Sequence, residues 1–153
     1  MKRVEVRLSL PVVAPLLDVI KSVADTLEGE LAAPLSFEKI DQDLREAWRD
    51  ELVEAQNQDV KVLLSLFDSE FFASGVVSFD ESNADAIVRA CASIRLRLRE
   101  RFLNGLSDEA LETGEVQLET VPESARRAFM CYLFLATVQE LIIQHLDSSI
   151  LEG

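Results

Sequence analysis

Ile87, Cys91, Ile94, Leu98 and Phe102 recur at steps of four, three, four and four, and this periodicity constrains the fold more than any other feature of the chain. Side chains so spaced share one face of an α-helix. The stripe runs through SIRLRLRERF, Ser93 to Phe102, which taken alone alternates leucine or isoleucine with arginine and reads equally well as a strand. The flanks decide against the strand, because ACAS before it and FLNG after it do not alternate. Ala92, Leu96 and Leu103 add a second, narrower apolar stripe nearly opposite the first. The arginines fall in the seams between, Arg97 with Arg101 on one flank and Arg95 with Arg99 on the other. A helix apolar on two sides is expected to lie between neighbours. Its arginines then need carboxylates, since a buried unpaired charge is costly, and guanidinium forks suit that pairing.

The natural partners are acids on a second long helix. Ser36 is placed to cap it, and Phe37, Leu44, Trp48, Ala55, Val62 and Leu66 keep one apolar sector through the polar stretch Gln56 to Asp59, with a bend expected near Asn57. Asp43, Glu46, Asp50 and Glu54 form an acidic stripe on another face. The chain carries a net charge of -13 in 153 residues. Such a field repels phosphate backbones and anionic membranes, so anion or nucleic-acid binding by the four arginines is the weaker expectation. No glycine-rich phosphate loop or aromatic-studded basic strand supports it.

The remaining chain fills in a mainly α, α+β domain of four to five helices with two or three short strands at one end, a single unit over residues 1–153. Val4, Val6, Leu8 and Leu10 alternate as a strand. Leu16, Leu17, Ile20, Val23, Ala24 and Leu27 follow as a helix, with Pro15 fitting its first turn and Gly29 its end. Val77 and Phe79 mark another strand, Asp80 a helix cap, Ser107 the start of a short helix, and EVQLE, 115–119, a third strand. Thr120 and Glu123 have capping-box spacing with Pro122 in the first turn, and the last helix runs to about Leu146.

Few residues invite chemistry. Cys91 and Cys131 sit in apolar helical patterns and are expected as buried thiols, not a secreted disulfide framework. The only histidine, His145, lies five after Glu140 and two before Asp147, spacings that put no two metal ligands on one helix face. No metal, cofactor or catalytic residue is expected. Glu140 stands in a narrow polar stripe with Arg126, Thr137 and Gln144 on an otherwise apolar final helix, where an arginine partner is expected. Phe71 and Phe72, in the loop DSEFFASG, could offer an aromatic pair to a partner or fold back onto the core. The longest apolar run, Ala128 to Val138, is too short to span a bilayer, and the N-terminus lacks a signal-peptide pattern. A cytoplasmic location is the expectation.

VRLSL before a helix, the polar helix LREAWRDELVEAQNQDVKVLLSL, the run VSFDESNADAIVRACASIRLRLRERF and a last helix with FLATVQELI together resemble the uncharacterised bacterial family known as domain of unknown function two-thousand-seventeen. The resemblance covers most of the chain. It implies a helical α+β domain, regulatory or protein-interacting and not enzymatic, with no catalytic residues to carry over. The expected function is thus a cytoplasmic regulatory or protein-interaction module acting through an apolar or acidic surface, with homodimerisation as one form. A small-molecule or anion-binding regulatory domain using Arg95, Arg97, Arg99 or Arg101 is the alternative, and an enzyme of unassigned type a weaker one.

Overall fold

A computed structural model describes residues 3–32, 41–114 and 121–147. Strand β1 (Arg3–Arg7) leads into helix α1 (Leu10–Thr26). Then come α2 (Gln42–Ser65), α3 (Ser69–Ser74), β2 (Val76–Asp80), α4 (Ala84–Phe102), α5 (Asp108–Thr113) and α6 (Glu123–Ile142). A π-helical turn, Ile143–Asp147, prolongs α6. This is the mainly helical α+β architecture expected from the sequence. Helix α4 is its centre, packed chiefly against α6 on one side and α2 on the other, with α1 against both α6 and α4.

The periodic stripe explains that position. Ile87, Cys91, Ile94 and Leu98 are fully buried. The stripe ends one residue short of the reading, for Phe102 is 46% exposed, and in the second stripe only Leu103 is buried while Leu96 is 46% exposed. Helix α1 buries Leu16, Leu17, Ile20, Val23, Ala24 and Leu27, the residues read from its 3.6-residue pattern. Helix α6 buries Phe129, Cys131, Leu135 and Val138, and the Cys131 Sγ lies 3.9 Å from the Leu16 carbonyl of α1. Residues 125–146 are apolar and long enough to cross a bilayer by length and composition, a longer stretch than the run recognised in the sequence; here that helix packs on α4 and α1.

The two strands form an antiparallel pair with Val4 opposite Phe79 and Val6 opposite Val77, so alternate residues face the core as the period of two requires. Gly75 makes the turn into β2 possible. Its φ is 76°, and a Cβ there would meet the Leu8 carbonyl at 2.9 Å. That close approach is used, since the Leu8 N–H donates to the Gly75 carbonyl at 2.7 Å.

Several local expectations are corrected. Helix α1 starts at Leu10, so Pro11 takes the first turn and Pro15 lies inside the helix. Its ring faces solvent, and the bond it forgoes is the one to Pro11 at the helix start, where the loss is small. DSEFFASG is not a loop: the Asp68 side chain accepts from the Phe71 N–H at 3.0 Å and caps α3. Asn83, not Asp80, is the cap position of α4; Asp80 instead accepts from the N–H groups of Ser82 and Asn83. The Ser82 hydroxyl bonded to it holds its carboxyl below the usual carboxylate range. Pro122 is the cap of α6 rather than part of its first turn. Ser107 caps α5 as read, accepting from the Ala110 N–H at 3.1 Å. Ser36, Phe37, Thr120 and the strand expected at 115–119 lie outside the described residues.

The largest correction concerns α2. It is one helix through Gln56 to Asp59, as read, but its buried residues are Gln56, Val60 and Leu63. Leu44 and Trp48, from the apolar sector, are 64% and 50% exposed, and Ala55 is exposed too. The helix sits with a polar residue turned inward, and the reason lies in what Gln56 does there.

Candidate functional site

The turn after α1, residues 27–31, carries carbonyls outside the helix ladder, and side chains of α2 and α4 capture five in succession. The Gln56 carboxamide donates to the Leu27 carbonyl at 3.0 Å and the Glu30 carbonyl at 2.9 Å. Asn57 donates to Glu28 at 2.8 Å and Arg49 to Gly29 at 3.2 Å. Arg97 Nη2, from α4, reaches the Leu31 carbonyl at 3.4 Å. Gln56 also accepts from the buried Ala32 N–H at 3.1 Å. This is why Gln56 faces inward: its amide satisfies the buried Ala32 N–H, which would otherwise be unpaired, and ties down the Leu27 and Glu30 carbonyls as well. Gln56, Asn57 and Arg49 carried no signal beyond interrupting an apolar pattern.

The α4 arginines are largely absorbed by the same packing. Arg97 is 1% exposed, the largest fully buried side chain. Its charge is met by the Glu30 carboxylate at 3.4 Å, not by the acidic stripe of α2, and its Nε and Nη1 have no hydrogen-bond partner among the described residues. Arg95 lies 4.4 Å over the Tyr132 ring and donates to Gln139 Oε1 at 2.6 Å. Gln139 in turn donates to the Val88 carbonyl at 2.9 Å, so one amide joins α6 to α4 twice. Arg99 and Arg101 are exposed in the last turn of α4, where cations suit the helix dipole. The α2–α4 ion pair is made by Arg89, which holds both Asp59 oxygens at 3.0 Å. That bond raises the Arg89 pKa.

Arg97 turns inward and Arg95 lies over Tyr132, while the acids of the α2 stripe stay outside. Asp43, Glu46, Asp50 and Glu54 are all exposed. Asp50 and Glu54 face a groove of about 520 Å³ between α1 and α2, which Asp25 and Glu28 rim from the α1 side and Ala24, Val53, Val60 and Leu64 line with apolar surface. Three further depressions lie elsewhere: one where α1 meets Phe102 and Arg127, one beside Pro11 and Met130, and one beside the sheet. Arg95, Arg97, Arg99 and Arg101 line none of the four.

The other candidates are scattered. Cys91 and Cys131 are free, fully buried thiols, and burial pushes each pKa up to about 12, so both are protonated and unreactive at neutral pH. Glu140 is exposed and accepts from Gln144 at 3.2 Å along its own helix, which replaces the arginine partner expected for it. His145 is exposed. Phe71 is fully buried, edge-on to Phe67 at 5.2 Å, while Phe72 is 47% exposed. The two rings touch edge-on, 5.4 Å between centroids, but they do not form an exposed pair, because only Phe72 reaches the surface.

A family model described as "Domain of unknown function (DUF2017)" matches residues 33–146, from before α2 through α6. No curated protein and no solved structure matches the chain.

Proposed function

The chain belongs to that family, and from this premise we propose that it is a non-catalytic, cytoplasmic regulatory or protein-interaction module, with a protein as partner and not a nucleic acid or a membrane. The observation that carries the reading is the outer part of α2. Residues 42–55 include no buried residue, yet Leu44 and Trp48 are held there half-exposed, one turn apart, among acids. A helical segment of this length is marginal in water without packing of an apolar face. An exposed apolar and acidic helix surface is the kind that a partner, or a second copy of the chain, completes. The residues chemistry would call on support the same reading. The thiols are closed off by burial, and the exposed Glu140 is engaged by Gln144 along the helix.

A photo-crosslinking residue at position 44 or 55, compared with one at the exposed Glu70 on α3, tests this in native lysate. The expected outcome is discrete protein adducts from 44 and 55 and none from 70, with an adduct of twice the chain mass if the partner is another copy. Absence of adducts from α2 would overturn the reading.

One observation favours an anion-binding alternative, the Nε and Nη1 of Arg97, which have no partner among the described residues; titration with inorganic phosphate tests it.

A further inference from the structure

We propose that the groove between α1 and α2 is the docking site for a basic amphipathic helix of a partner protein, an assignment that rests on the interaction-module reading above. The groove has an apolar floor, Ala24, Val53, Val60 and Leu64, and a rim of four carboxylates, Asp25, Glu28, Asp50 and Glu54, against one lysine, Lys61. Its walls run along α2 from Asp50 to Leu64, which at 1.5 Å per residue is about 21 Å, or four helical turns. A long cleft between two helices, apolar below and charged above, takes an amphipathic helix laid lengthwise, its apolar anchors down and its charges on the rim.

The sign of the charge identifies the occupant. The ion pairs of the described residues lie away from the rim: Arg97 goes to Glu30, Arg89 to Asp59 and Arg3 to Glu5. Among the described residues none pairs with Asp25, Glu28, Asp50 or Glu54. Arg49, on the same helix as two of these acids, is turned to the Gly29 carbonyl instead. The acidic stripe continues outward from the groove through Glu46 and Asp43, both exposed. A partner helix with lysines or arginines along its flanks meets complementary charge over the whole length, whereas an acidic or neutral helix does not.

The probe is a synthetic helix of leucine and lysine with leucines at i, i+3, i+4 and i+7, titrated into the intact chain and followed by backbone amide shifts. The expected result is saturable shifts centred on residues 24–28 and 50–64, a gain of helix in the peptide, and binding weakened about tenfold by Asp50→Asn with Glu54→Gln or by raising salt from low to physiological strength. The two substitutions are on exposed side chains, and an unchanged thermal midpoint confirms the fold. A peptide of equal composition with its leucines scrambled is expected to bind at least tenfold more weakly. Equal binding by the scrambled peptide, or the same shifts with spermine alone, would reduce the groove to a counterion surface and overturn the proposal. So would no binding at all. If the crosslinks from α2 persisted while the peptide stayed inert, the groove assignment would fail alone and the interaction-module reading would stand.

Discussion

Replacing Gln56 with leucine is expected to cost about 3 kcal/mol of folding stability, although a buried leucine is ordinarily the more favourable residue. The substitution strands the buried Ala32 N–H and removes the amide's bonds to the Glu30 carbonyl and to the Leu27 carbonyl, which keeps only the longer bond from the Glu30 N–H at 3.3 Å. Each buried polar group left without a partner costs about 1–3 kcal/mol. The total stays near the lower end because Glu30 is exposed, and its carbonyl regains water in part. Asn57→Ala removes one bond, to Glu28 at an exposed position, and is expected to cost less than about 1 kcal/mol. Urea denaturation monitored by circular dichroism measures both, with an unchanged m-value showing that the denatured state is not the origin. A Gln56→Leu variant as stable as the parent would mean that the α1 end is not held by this amide.

Phe71→Ala is expected to be at least as damaging, about 3–5 kcal/mol, the range for emptying a buried aromatic site. Phe71 is 0% exposed and packs edge-on against Phe67 at 5.2 Å, with Phe67 in turn 6.4 Å from the Phe134 ring of α6. Its loss opens a cavity where α3, the end of α2 and α6 meet. Phe72→Ala, at a ring 47% exposed, is expected to change stability by less than about 1 kcal/mol. Thermal midpoints separate them, at about 2–4 °C per kcal/mol for a chain of this size. Comparable losses from both would show that the rings act as one buried pair.

The contrast between these phenylalanines shows where sequence reading reaches and where it stops. The helices were legible because their apolar periodicity is long: α1 buries the very residues its pattern selects, and α4 follows its stripe from Ile87 to Leu98. Phe71 and Phe72 occupy six residues of helix set by one aspartate cap, too short a window for a period to emerge. Helix α2 misled for a different reason. Its apolar residues form a consistent sector, but the orientation of a helix is fixed by everything its faces offer, and an inward Gln56 with three backbone partners outweighs an outward Leu44 and Ala55. Such partners are distant in sequence, so no local pattern announces them. The arginines were correctly placed in helical seams, and for Arg97 a carboxylate was the right kind of partner. The carboxylate came from Glu30, in the turn after α1, while Asp43, Glu46, Asp50 and Glu54 of the α2 stripe stay exposed. Arg95 found an aromatic ring and an amide, Tyr132 and Gln139, and the ion pair between α2 and α4 fell to Arg89.

Arg95 and Arg97 of α4 are taken up inside the fold, and the proposed binding face is made of the acids left outside. The direct test is a titration of the intact chain with millimolar inorganic phosphate, followed by backbone amide and arginine side-chain NMR shifts. With Arg97 1% exposed and closed in by Glu30 and Leu31, the account predicts no saturable response at residues 30–32 or 95–98. Saturable shifts there, abolished by Arg97→Met in a protein that remains folded, would make the arginine helix an anion site and contradict it.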